Sequence, residues 1–425
     1  MNITANKLKL FDQRIIVPNS TSTMLAEVAI ILFFAQPFLT WVLGFAFGRY
    51  SGYIMLLLPY VPVVLYFLVR QGRGFPYDFF VLLALLLLFF LVTYIIHPNY
   101  GSVYRREYYG IWDYVIKPTN GLYAYLFLRL IDDPKRILKC LRISAVMAYV
   151  YYAYTLYKAI RVGYWELNWD GEILRTSYSL EFGYDLLLYV LVFLYCAFKY
   201  KRMTDWVMGA AGVFMIMGAG SRGPILDIII FVALYIFLEF ENRKYKIVYG
   251  IALLILAAGI LLFYVPLLNF LSGLMERFGL QSRFIRKMLS GDVADDNGRA
   301  QIWQHAIRMI KSNPLGYGAM GSRHEIIKTI FVGHPHNIFL EFMIDYGVIL
   351  GPLLLIMGGI TVIRCLKAPI EDEWKGLVII FVGLSSQLLV SGTYWHRQGI
   401  WGLLAIIMGI KFSHPFARGH IRLKL

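Results

Sequence analysis

Three short stretches of the chain carry residues that could do chemistry together. Gly220-Ser221-Arg222-Gly223-Pro224 lies between two apolar blocks that almost nothing else separates. Glycine permits the tight turn this demands, and proline suits the first turn of the next helix. An arginine is costly at a membrane and is usually retained by pairing with an anion; a snorkelling helix-end arginine explains it equally well. Asn297-Gly298-Arg299 opens an amphipathic stretch. There the free N–H groups of a first helical turn and a guanidinium could hold an anion, with a solvated helix arginine as the plainer alternative. The third stretch is Gly333-His334-Pro335-His336-Asn337. Imidazoles titrate near neutral pH, so either histidine could act as a general base. The plainer alternative has Asn337 capping the next helix and the histidines as interfacial polar residues. An i, i+2 spacing with no acidic or Cys ligand tied to it is poor for a shared metal, so no metal and no cofactor are expected.

The elements that must position these residues are apolar. Of 425 residues, 59% are hydrophobic and 16% charged, and mean hydropathy is +0.61. A soluble chain could not hide that much apolar surface in one or two cores. The hydrophobicity comes in blocks of about 20 residues, the length with which a helix crosses hydrocarbon while satisfying its own backbone. Runs such as Phe79 to Ile96 lack the alternation of a barrel strand. The expected fold is an all-α polytopic membrane protein with about 12 transmembrane helices. Spans are read at about 24–46, 52–69, 78–97, 111–131, 138–160, 178–198, 203–220, 223–240, 247–267, 337–363, 374–394 and 398–413. Asp113, Lys117 and Pro118 interrupt the fourth, which is expected to be broken or re-entrant.

A net charge of +15 could suggest nucleic acid. The basic residues instead flank spans, as topology requires, and no nucleic acid is expected. Clusters such as Arg70 with Arg73, Lys135 with Arg136 and Lys139, and Lys199 with Lys201 and Arg202 mark one side as cytoplasmic. Both termini then lie there, and the loop 268–336 lies on the far, periplasmic side. One integral membrane domain results: 1–267 with nine spans, 268–336 as a helical outer loop, and 337–425 with three spans and a tail. The first apolar block is too long for a signal-peptide core, so no cleaved signal is expected. Cys140, Cys196 and Cys365 fall near cytoplasmic helix ends and imply no disulfide framework.

Within the outer loop, helices are expected near 271–290 and 299–312. The second places Ile302, Trp303, Ala306, Ile307, Met309 and Ile310 on one side, and Gln301, Gln304, His305 and Arg308 on the other. Asn297 is the expected N-cap, and Asn313-Pro314 the stop. Gly316-Tyr317-Gly318-Ala319-Met320-Gly321 satisfies GxGxxG without a preceding strand, so a flexible loop is the better reading. Tyr100, Tyr104, Tyr108 and Tyr109 could stack on sugar rings, though an interfacial aromatic belt explains them more simply. Glu181 with Asp185, and Glu341 with Asp345, share helix faces at i, i+4; with Asp227, these acids could be proton-relay groups, arginine partners or catalytic bases, with arginine pairing ranked first.

The order GSRGP, then GRAQIW and SNPLGYG, then HPHNIFLEFMIDYG resembles the O-antigen ligase/polymerase superfamily over roughly residues 218–351. The resemblance implies a glycosyltransferase of GT-C type in the bacterial inner membrane with its active site on the periplasmic face. The donor would be an undecaprenyl-diphosphate-linked glycan and the acceptor a lipid-linked glycan, with membrane lipids and a chain-length regulator protein as further partners. Arg222 and Arg299 would bind the donor diphosphate and His336 would be the base. His334 competes with it for that role. Asn337 would orient the histidine or cap the helix. Ser221, Arg308 and Arg323 are further expected substrate contacts. The family's His-Asn element usually runs on to GxxG, whereas here Gly347 is followed by Val348-Ile349-Leu350 and then Gly351. The leading reading is a polysaccharide polymerase, inverting and metal-independent. The alternatives are an O-antigen ligase acting on lipid A-core and a lipid-linked sugar transporter or flippase.

Overall fold

The computed structural model describes residues 20–72, 74–106, 109–169, 172–176, 178–221, 223–239, 264–277, 285–286, 289–290, 298–327 and 333–413. Its principal helices are α1 (Ser20–Phe34), α2 (Gln36–Phe47), α3 (Ser51–Leu57), α4 (Tyr60–Val69), α5 (Tyr77–Ile96), α6 (Pro134–Val162), α7 (Leu180–Tyr200), α8 (Met203–Gly218), α9 (Gly223–Glu239), α10 (Tyr264–Arg277), α11 (Arg299–Ser312), α12 (Gly321–Ile326), α13 (Ile338–Lys367), α14 (Asp372–Ser385) and α15 (Gln398–Ser413). Among the described residues the strands are β1 (Trp165–Trp169) and β2 (Glu172–Thr176), an antiparallel hairpin with Trp165 opposite Thr176.

Among the described residues, four stretches are long and apolar enough to cross a membrane: Gln36–Val69, Tyr77–Ile96, Leu180–Tyr200 and Ile338–Lys367. Shorter apolar helices accompany them at Thr21–Phe34, Met203–Gly218, Gly223–Leu238 and Gln398–Lys411. Of the expected span at 247–267, residues 247–263 lie outside the described residues and 264–267 open α10. Helix α5 shows how a lipid-facing helix is built. It buries Phe79, Leu86, Phe90 and Thr93 along one face and leaves Val81, Leu88, Ile95 and Ile96 exposed. An apolar surface of that kind is stable against lipid rather than water. By contrast α7 is buried along nearly its whole length, so it is the central post against which α6, α8, α14 and α9 pack.

The expected fourth span is broken, as its sequence suggests. A wide turn at Trp112–Ile116 is followed by a tight turn at Gly121–Tyr123 and a short helix at Ala124–Leu128. Pro118 cannot continue a helix. Asn120 Oδ1 caps the new start by accepting from Leu122 N–H at 2.9 Å. Gly121 lies against the backbone of His396 and Gln398, where a Cβ would come within 2.6 Å of Gln398 N. The break therefore leaves room for the turn that precedes α15.

A second break sits inside α13, at Gly347 (φ 83°, ψ 169°). The interruption frees backbone groups that the loop after α11 takes up. Tyr317 N–H donates to Ile344 O at 2.7 Å, Gly318 N–H to Asp345 O at 3.1 Å, and Val348 N–H to Pro314 O at 2.9 Å. The expected flexible loop at 316–321 is thus a docked one, held by the carbonyls the kink exposes. Gly351 packs on the Phe342 carbonyl, so the departure from GxxG is accommodated by the kink.

Near the start of α5, Arg129 is fully buried between two acids, 3.2 Å from Asp78 and 2.8 Å from Asp132. Tyr125 OH donates to the same Asp78 oxygen at 2.7 Å. Removing the cation leaves two carboxylates facing each other. Arg129→Ala is expected to lose about 3 kcal/mol, the lower end for a broken buried pair because both acids keep some solvent contact. Thermal unfolding in detergent micelles checks this, and an unchanged midpoint contradicts it.

Candidate active site

At one end of the bundle a cavity of about 410 Å³ is walled by residues from six separate stretches. Arg299 comes from the first position of α11, and Arg323 from α12. His334 and His336 come from the segment before α13, Glu181 and Tyr184 from α7, and Gly392, Thr393, His396 and Arg397 from the turn before α15. Arg106, Tyr109 and Tyr114 close another side.

His336 occupies the left-handed region at φ 53°, which costs a non-glycine residue roughly 1–2 kcal/mol. Its neighbours impose that conformation. Asn337 Oδ1 caps α13, accepting from Phe339 N–H at 3.0 Å and Leu340 N–H at 3.2 Å. Trp303 Nε1 of α11 donates to Pro335 O at 3.0 Å. Gly392 N–H donates to His336 Nδ1 at 3.2 Å. A ring that accepts at Nδ1 carries its hydrogen on Nε2 when neutral. Burial, then the charges of Arg299 and Arg397, lower the His336 pKa to about 4. His334 meets His336 edge-on, with ring centroids 4.3 Å apart. Both its ring nitrogens are buried without a hydrogen-bond partner. Burial first, then His336, Arg323, Arg397 and His396, hold its pKa well below the ordinary value.

The arginines are presented in different ways. Arg323 is buried with its guanidinium 5.1 Å from the Tyr109 ring and 5.9 Å from Tyr114, a cation–π arrangement that leaves its Nε without a hydrogen bond. Arg397 is paired with Asp185 at 2.9 Å and lies 5.7 Å over Tyr184. Gly392 makes room for it: at φ 75°, an added Cβ would press to 3.1 Å on Arg397 Cγ.

The turn that carries Arg397 is itself anchored. Thr393 donates its hydroxyl to Glu341, while Tyr394 OH and Trp395 Nε1 donate to Asp345 Oδ2 at 2.8 and 3.1 Å. The two acids are one helical turn apart on a buried face of α13, so each grips adjacent residues of one loop. The expectation of arginine partners therefore holds for Asp185 but not for these two, nor for Asp227, which accepts from Ser386 Oγ at 2.7 Å.

Arg299, Arg323, His334 and His336 all line this one cavity, and Arg222 lies outside the described residues. Other expected contacts belong elsewhere. Ser221 is buried, does not line the cavity, and donates Oγ to Leu180 O at 3.2 Å, clasping α7 to the turn. Arg308 is exposed and away from the cavity: nine residues beyond Arg299, a helix has turned to its opposite face. Asn337 serves as a cap. Gly298, at φ 79°, takes the N-cap position of α11 expected for Asn297, which is outside the described residues. Ile307 is exposed, while Ile302, Ala306 and Met309 are buried.

His396, Arg397 and the cavity-facing position of Glu181 were not legible as a site. A span read through 394 absorbs Ser391-Gly392-Thr393. In the structure α14 ends at Ser385 and a short turn follows to Leu389. The polar run Ser391-Gly392-Thr393 ahead of His396-Arg397 was the available signal.

Residues 207–355 match the protein-family model described as O-antigen ligase. No curated protein and no solved structure matches the chain. The matched stretch contains Arg299, Arg323, His334 and His336, while Glu181 and the 391–397 turn fall outside it.

The His336 geometry fixes a titration. Its imidazole is expected to stay neutral, with the hydrogen on Nε2, from neutral pH down to about 5, and to gain charge as pH falls through about 4. Nitrogen-15 chemical shifts of labelled histidine, assigned with His336→Gln, report both properties. A midpoint near the ordinary 6.5, or a hydrogen on Nδ1, contradicts the arrangement.

Proposed function

We propose, from the match of residues 207–355 to the family model described as O-antigen ligase, that this protein is a membrane glycosyltransferase building a bacterial surface polysaccharide. In this reading it takes an undecaprenyl-diphosphate-linked glycan and joins it to a lipid-linked repeat unit, inverting the anomeric carbon. The enzyme sits in the inner membrane with both termini cytoplasmic and works at the periplasmic face. The observation that carries the reading is the convergence of Arg299, Arg323 and Arg397 with His336 on one cavity.

That convergence suits the chemistry. As the sugar C1–O bond breaks, negative charge develops on the diphosphate. Guanidinium groups fixed in a low-dielectric site stabilise it without reorganising. Arg299 and Arg323 would hold the diphosphate, joined by Arg222 from the turn before α9. His336, with Nε2–H available, would hydrogen-bond the reacting oxygens. Tyr109, Tyr114 and Tyr184 also line the cavity, where the sugars would lie. Exposed apolar helix faces give both partners' lipid tails a place to lie.

A second reading, transfer of a finished glycan to lipid A-core, is favoured by the description of the matching family as O-antigen ligase. Mass spectrometry of cell-envelope glycans from a deletion strain separates the two. A polymerase defect leaves single repeats on lipid A-core, whereas a ligase defect leaves long chains on undecaprenyl diphosphate.

In a purified transfer assay, Arg299→Ala and Arg323→Ala are each expected to lower kcat/KM roughly 10- to 150-fold, the equivalent of one lost charge-assisted contact. Lysine at either position should recover part of the loss. Unchanged kcat/KM in both alanine proteins removes the diphosphate assignment.

A further inference from the structure

The geometry of His336 makes it a hydrogen donor. Its Nδ1 is occupied by Gly392 N–H, so the neutral ring offers Nε2–H to a ligand. Accepting a further proton would place a positive ring beside Arg299 and Arg397, and its basicity is already held down by burial and those charges. His334 offers no reachable lone pair, because both its nitrogens are buried. Transfer to a sugar hydroxyl still needs a group to receive the hydroxyl proton.

Among the described residues, Glu181 is the carboxylate that lines the cavity. It stands in the first turn of α7 and is exposed. No ion pair or hydrogen bond engages its carboxylate among the described residues. Asp185, one turn along the same face, takes up Arg397 at 2.9 Å. That pairing directs the Arg397 guanidinium to Asp185, so its charge reaches Glu181 through space and not through a contact. The charged groups around the cavity are Asp185 on the same helix, Arg397 from the last turn, and Arg299, Arg323 and Arg106 across it.

We propose that Glu181 is the catalytic base that accepts the proton of the acceptor hydroxyl, while His336 donates a hydrogen bond from Nε2 to the departing diphosphate. This rests on the glycosyl-transfer reading above. In the step, the acceptor oxygen bonds to the anomeric carbon from the face opposite the diphosphate. The C1–O bond to phosphate breaks and its electron pair leaves on the diphosphate. The acceptor's proton passes to the Glu181 carboxylate. A bound diphosphate adds negative charge to the cavity, which favours the protonated carboxyl, so donor binding strengthens the base.

The test uses the full-length protein in lipid nanodiscs with undecaprenyl-diphosphate-linked repeat units. Glu181→Gln is expected to lower kcat by roughly 10²- to 10⁴-fold, the usual contribution of general base catalysis, while donor affinity is kept. Glu181→Asp should recover part of the rate. The acidic limb of the wild-type kcat profile should vanish in Glu181→Gln, and added azide should restore turnover as a glycosyl azide. His336→Gln, which keeps an N–H donor, should retain more activity than Glu181→Gln. A Glu181→Gln rate within about threefold of wild type, or an acidic limb left intact, overturns the assignment to Glu181. If Glu181→Gln loses donor binding, Glu181→Asp decides: a shifted acidic limb supports the base and an unshifted one rejects it. Wild-type protein that neither binds nor turns over the lipid-diphosphate glycan overturns the functional reading instead, so the two failures are distinguishable.

Discussion

Several guanidinium groups gathered at one end of an apolar bundle repel one another, and each is costly to desolvate, so everything around the cavity is organised to hold them. Arg323 is held over tyrosine rings and Arg397 by a carboxylate of the central helix. Arg299 starts a helix whose indole pins the histidine segment. The turn between α14 and α15 matters most, because its Gly392 orients His336 while its Arg397 closes the wall, and two buried acids of α13 fix that turn in place. Loss of this grip would separate the histidine from the charge it serves.

Such a collection of charge is poised for an anion. Arg323, whose buried Nε lacks a hydrogen bond, and His334, whose ring nitrogens lack one, would gain partners if the proposed diphosphate entered. The apolar helix surfaces beside it suit substrates that never leave the lipid. Soluble sugar nucleotides would need neither the lipid-facing helices nor a cavity at the bundle's end.

How much of this could be read from the residues follows the kind of signal each one gives. Long apolar runs such as Tyr77–Ile96 declare themselves by composition, and α11 by its 3.6-residue period with a proline stop. The break in the fourth span was legible because Pro118 and two charges interrupt it. The histidine pair and Arg299 stood out because their types are rare beside apolar spans. Glu341 and Asp345 were visible as a shared helix face, but their partners are hydroxyl and indole groups about 50 residues away, and no local pattern encodes such a pairing. Arg308 shows the converse: its type suggested a ligand, and helical phase sends it to the other side. The kink at Gly347 is legible only in three dimensions, since the loop that fills it lies some 30 residues upstream. The final turn was hidden because its small residues extend the apparent span.

The central claim is that one cavity receives the diphosphate of a lipid-linked glycan. A cryo-electron microscopy structure of the full-length protein with a non-transferable phosphonate analogue of undecaprenyl-diphosphate glycan tests it most directly. The account predicts the diphosphate between Arg299 and Arg323, the first sugar near His336 and Glu181, and the lipid against the exposed helix faces. A diphosphate bound elsewhere, or a cavity that opens toward the cytoplasm, would contradict it.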